Sequence, residues 1–157
     1  MRYVGVALIF LGAYLASRKN SERERERLEL LLGYESFIRE MRSRAANLLE
    51  AVPHWVGKFE CPALERAGFL SAVRRGERLT EAFAVASEGL PEGARESILT
   101  LFSHTGATLD DEIARIDAAL ATVGRIADEQ SRESRERSRL FSVLALGISA
   151  GVGILVL

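Results

Sequence analysis

One cysteine, two histidines and three prolines in 157 residues leave little material for catalysis or cross-linking. Because Cys61 stands alone, an intrachain disulfide and a cysteine-based zinc cluster are both excluded, and the sequence fits a reducing compartment. Neither His54 nor His104 has a carboxylate at the i,i+3 spacing of helical di-metal sites. The i,i+4 pair Glu50 and His54 cannot close a metal site by itself. Gly57-Lys58 has Val52 where a phosphate-cradling Gly-x-x-x-x-Gly-Lys loop needs its first glycine, so the chain is not expected to hydrolyse ATP unaided. Ser36, Ser71, Ser97 and Ser103 lack a Gly-x-Ser-x-Gly turn. The inventory predicts a non-enzymatic protein without metal, cofactor or small-molecule substrate. A small enzyme using His54, His104 and Cys61 stays as a minor alternative.

Net charge is also scarce, with 21 Lys and Arg against 22 Asp and Glu. Every acidic residue, and every basic one except Arg2, lies between Arg18 and Arg139, where 20 basic groups meet 22 acidic ones. Such a balance provides no large basic surface for counterion release, which argues against a nucleic-acid partner. The ends are left apolar over 17 and 18 residues.

Leu140 to Leu157 (LFSVLALGISAGVGILVL) carries no charge and would form a helix of about 27 Å, close to the hydrocarbon thickness of a bilayer. It reads as a transmembrane helix. Tyr3 to Ser17 is shorter and also suits a signal-peptide core. Two details oppose cleavage. The small residues Ala16 and Ser17 follow Tyr14 and Leu15 where a cleavage motif needs small partners, and Arg18 and Lys19 come next. Arg18, Lys19, Arg23, Arg25 and Arg27 after the first span, and Arg132, Arg135, Arg137 and Arg139 before the second, place residues 18–139 in the cytoplasm by the positive-inside rule. The expectation is a two-span protein of the cell membrane, with spans at 3–17 and 140–157.

Within the middle, Leu28, Leu31, Tyr34, Ile38, Met41, Ala45, Leu48 and Val52 recur in steps of three and four, predicting a long amphipathic helix over about 20–52 that Pro53 stops. A second stripe, Leu109, Ile113, Ile116, Leu120, Val123 and Ala127, predicts a helix over 108–139, capped by Thr108 and continuing into the membrane for roughly 70 Å in all. Prolines and glycines between them delimit short helices near 62–74, 79–88 and 92–104, with Pro62 and Pro91 in first turns. Phe69, Leu70, Val73, Leu79, Phe83, Val85, Ile98, Leu99 and Phe102 supply the faces to be covered. The fold class is an all-α membrane protein, two transmembrane helices flanking a cytoplasmic helical bundle.

Two charge runs border the membrane. In residues 22–27 the signs alternate, offering i,i+3 pairs of Glu22 with Arg25 and Glu24 with Arg27; Arg132 with Glu136 and Glu133 with Arg137 are i,i+4 pairs. Either the runs are solvated helix surface, or they face each other antiparallel and hold the helices in register. Gly147 and Gly151 form a Gly-x-x-x-Gly face, and Gly12 with Ala16 a small-residue face on the first span. Those faces would pack the spans, or neighbouring copies in a homo-oligomer, unless they reflect the ordinary abundance of glycine in membrane helices.

This layout resembles the stage III sporulation protein AB family. The resemblance is carried by Leu99 to Leu157: Phe102, the turn glycine Gly106, Asp110 opening a helix, and Leu146-Gly147 leading the last span. The same stretch is similar to half of the F-type domain of platform proteins in type II secretion systems and type IV pili. Ser103-His104 stands where that pattern has Gly-Glu, and Ala107 where it has a second glycine. The N-terminal half agrees in pattern through Gly5, Gly12, Arg18 and the stripe to Val52. The resemblance implies a platform in the channel complex between mother cell and forespore, beside other stage III membrane proteins and their secretion-type ATPase. Ser103, His104, Gly106, Leu109, Asp110 and Asp111 are the expected partner contacts, since a turn facing the cytoplasm is available for docking. The rival is a membrane-anchored signalling or scaffold protein that self-associates through its long helices.

Overall fold

The computed structural model describes the backbone of residues 2–47, 51–104 and 106–156, and the side chains of 18–46, 51–104 and 106–140. Among the described residues every regular element is helical. Two long helices, α1 (Arg2–Asn47) and α7 (Leu109–Val156), frame five short ones: α2 (Val52–Trp55), α3 (Pro62–Arg66), α4 (Phe69–Arg74), α5 (Leu79–Ala86) and α6 (Glu92–Ser103). A 3-10 turn, Val56–Lys58, follows α2 directly.

Most of each predicted stripe is the face that packs; Leu109, expected to open the second stripe, is instead 44% exposed at the first turn of α7, and Leu48 lies outside the described residues. Leu31, Tyr34 and Ile38 of α1 and Ile116, Val123 and Ala127 of α7 are buried in one core with Phe69, Phe83 and Ile98 of the short helices. Aromatic rings occupy its centre. Phe37 meets Trp55 and Phe69 with centroids 5.1 Å apart in each case, and Tyr34 meets Phe69 and Phe83 at the same distance. Each such pair adds about 0.5–1.5 kcal/mol beyond its buried area. The Tyr34 hydroxyl donates to the carbonyl oxygen of Ala86 at 3.3 Å, tying α1 to the end of α5. Burial holds this phenol well above the ordinary tyrosine range.

α1 and α7 run antiparallel. Arg42 grips Asp117 through two contacts, Nε to Oδ1 at 2.9 Å and Nη2 to Oδ2 at 3.2 Å. This pair keeps the Asp117 carboxyl below its usual range. Further toward the chain ends, Arg137 donates to Glu24 at 2.5 Å. Going from residue 24 to 42 on α1 matches going back from 137 to 117 on α7, so one register spans the whole paired length.

Four boundaries differ from the sequence reading. The first long helix is described to Asn47 and not to Val52; Ala51 is extended, and Val52 and Pro53 open α2 instead. A proline in a first turn gives up no helical hydrogen bond, so Pro53 starts a helix here where it was expected only to stop one. The segment 62–74 is two helices, because Gly68 adopts φ +83, a left-handed conformation that breaks the α-helical path. The next helix ends at Ala86 and the one after it at Ser103, with Pro91 just outside its first turn. Val85, expected to be covered, is 80% exposed: it stands two residues from the buried Phe83, on the opposite side of α5. Leu99 is 42% exposed for a similar reason, beside the buried Ile98.

No helix among the described residues is long and apolar enough to cross a membrane. The apolar ends, 3–17 and 141–157, lie outside the residues whose side chains are described, as do the small faces of Gly12 and Ala16 and of Gly147 and Gly151.

Candidate functional site: the turn between α6 and α7

The predicted contact residues sit where α6 ends and α7 begins, a place where two sets of backbone groups lose their helical partners. The structure satisfies both sets locally. The Thr108 hydroxyl oxygen accepts from the Asp111 N–H at 3.2 Å, the N-cap expected from sequence. Asp110, Asp111 and Glu112 in the first turn favour the positive end of the α7 dipole.

At the α6 end the organising group is Arg115. Its Nη2 donates to the carbonyl oxygens of Thr100, Leu101 and His104 at 3.3, 3.0 and 2.7 Å, and its Nη1 to Glu112 Oε2 at 3.0 Å. A guanidinium is suited to this place, with several donors in a rigid fork and a positive charge against the negative helix end. Glu112 Oε2 also accepts from the Gly106 N–H at 2.6 Å, so one carboxylate joins the turn backbone to the arginine. Gly106 is pressed against α7: a Cβ there would stand 2.6 Å from the Glu112 nitrogen. Only glycine fits that approach.

The six predicted residues therefore share one short region but do different things. Ser103 Oγ donates to the Leu99 carbonyl at 2.6 Å, and His104 Nδ1 lies 3.3 Å from the Thr100 carbonyl oxygen. Gly106 shapes the turn. Leu109, Asp110 and Asp111 face solvent, with Leu109 44% exposed. The result is a braced, outward surface of two carboxylates beside an apolar side chain. Such a surface suits a basic protein partner with an apolar contact. Arg115 and Glu112 escaped the sequence reading; their i,i+3 spacing was a weak signal, and the reach of Arg115 across to α6 leaves no local trace.

Among the described residues no group of three metal-ligating side chains is placed to hold an ion. His54 and His104 are exposed, while Cys61 is half-buried against α1, where a Cβ on Gly33 would lie 3.0 Å from its sulfur. Between α1 and α7, a polar cavity of about 160 Å3 is lined by Glu24, Arg27, Gln130, Glu133, Ser134 and Arg137. Its lining joins the two charge runs across the helix pair. The chain matches no protein-family model, no curated protein and no solved structure.

Proposed function

We propose that the protein is a non-enzymatic platform of the cell membrane, its two apolar ends spanning the bilayer and its helical domain docking a cytoplasmic secretion-type ATPase. The observation that carries this reading is the antiparallel pairing of α1 and α7, which directs both apolar ends away from the same end of the bundle. A hairpin of that kind suits two spans in one membrane, with the α6–α7 turn at the far, cytoplasmic end. The resemblance to the stage III sporulation protein AB family adds the setting, a channel complex between mother cell and forespore with other stage III membrane proteins. Burial of Tyr34, Ile38, Ile116 and Val123 within one chain supports this reading over a scaffold whose long stripes pair between chains.

The test is co-purification in detergent with the secretion-type ATPase that the resemblance implies. Leu109→Arg with Asp110→Arg reverses the turn surface while leaving Thr108, Glu112 and Arg115 in place. Loss of ATPase association at unchanged thermal stability supports the assignment; undiminished association removes the turn as the docking surface.

A further inference from the structure

The aromatic core lies on one side of the α1–α7 hairpin, and the opposite side is bare. The Arg42–Asp117 pair marks the seam between the two long helices. On one side of it Met41 and Ile116 pack in the core, and on the other Ser43 and Ala118 are exposed. From Ser43 the exposed stripe runs back along α1 through Arg39, Ser36 and Leu32, and from Ala118 it runs to Ala121 and Arg125 on α7, in steps of three and four. Leu32 is 46% exposed on this face, although Leu30 and Tyr34, two positions to either side, are buried. The serines and alanines between the longer side chains let another helix approach closely.

Resting on the two-span reading above, we propose that this face binds a second copy of the chain about a twofold axis parallel to the bundle, α1 of each copy against α7 of the other. Two copies rooted in one membrane are related by such an axis, which keeps every residue at its own height. The register that Arg42 with Asp117 and Glu24 with Arg137 set within a chain therefore also sets which residues meet between chains. At that register the charges match: Glu22 lies level with Arg139, Arg25 with Glu136, and Glu29 with Arg132. Arg132, Glu136 and Arg139 are exposed and have no side-chain partner among the described residues. Nearer the core, Arg125 falls opposite Ser36 and Arg39 opposite Ala121, a long side chain against a small one each time. Exposed ion pairs contribute little singly, so they select the partner and its register while the covering of Leu32 and the close helix approach supply contact. The buried stripes stay within each chain.

Two full chains with different tags, both carrying Cys61→Ser, are reconstituted together in liposomes, one with Ser36→Cys and the other with Arg125→Cys, and then oxidised. A disulfide joining the two tags is expected as the main product, since cysteines whose Cα atoms stand more than about 7 Å apart are not bridged. Arg132→Glu in both chains sets a carboxylate against Glu29 at two contacts and should lower that product about tenfold. Arg95→Glu, the same charge change on α6, should leave it unchanged. Links only between copies of one variant mark a different packing and overturn the inference. So does a product indifferent to Arg132→Glu, or, in native membranes, a main product joining either cysteine to a different protein. A chain that carbonate strips from the liposomes refutes the two-span reading and this inference with it; one that stays embedded without joining the two tags refutes the inference alone.

Discussion

Arg137 donates to Glu24 at 2.5 Å across 113 residues of sequence, and it is the one direct ion pair between the two charge runs among the described residues. Around it, residues 18–27 of α1 and 128–140 of α7 contain no buried side chain. The two helices are therefore joined there by polar contact, beyond the point where the aromatic core ends. An exposed pair of this kind contributes about 0–1 kcal/mol, so it serves register more than stability.

A chain carrying Glu24→Cys, Arg137→Cys and Cys61→Ser should be joined within itself by a short bifunctional thiol reagent. On a denaturing gel the product runs as a compact monomer. A cross-linked dimer as the main product would favour the scaffold in which the long helices pair between chains.

Removing Arg115 should loosen the turn. Arg115→Ala leaves carbonyl oxygens of α6 without this donor and the Glu112 carboxylate with the Gly106 N–H but no guanidinium, at a cost of about 1–2 kcal/mol in chemical unfolding. Arg115→Lys restores the charge but not the fork, and should recover only part of the loss. Full recovery by lysine would mean that charge alone closes the end of α6.

Gly106→Ala places a carbon 2.6 Å from the Glu112 nitrogen and 2.9 Å from its Cα, where backbone must move. Overpacking of this kind costs about 1–3 kcal/mol. The same change at Gly57, where a Cβ meets nothing within 4 Å, is the matched control and should stay within about 0.5 kcal/mol of the native chain. Comparing the two melting curves checks the turn geometry.

Tyr34 gives a pH signature. Its buried phenol titrates well above the ordinary 10.0, so above that pH the unfolded chain loses a proton that the folded chain keeps. Stability should be complete below pH 10 and fall progressively above it. Tyr34→Phe should cost about 0.5–1.5 kcal/mol at neutral pH through the lost bond to Ala86, and should flatten the alkaline decline. On the acid side Asp117, held low by Arg42, acts in the opposite sense: its contribution is present above its ordinary range and is lost as the pH falls from that range through the lowered value it has in the folded chain. Asp117→Asn should remove that part of the acid dependence.

Much of this architecture can be read in the sequence, and the reasons are local. Leu31, Tyr34 and Ile38, like Ile116, Val123 and Ala127, keep the three-four spacing that a buried helix face requires, and all six are buried. Thr108 announces the start of α7 because an N-cap is a short-range contact. What stayed hidden depends on distance or on context. Pro53 can end one helix or begin another, and its neighbours decide. Val85 is apolar yet faces solvent, because composition does not give its angle around α5. Arg115 closes a helix from which it is separated by a turn, and Glu24 selects Arg137 over the i,i+3 partner Arg27 that the sequence offered.

The most direct test of the two-span hairpin is topology in intact membranes. With Cys61→Ser as background, Val85→Cys provides one exposed thiol in the central domain. The account predicts that the chain resists alkaline carbonate extraction, and that a membrane-impermeant thiol reagent labels position 85 in inverted vesicles but not in sealed right-side-out cells. Release of the chain by carbonate, or labelling from the outer face, would contradict it.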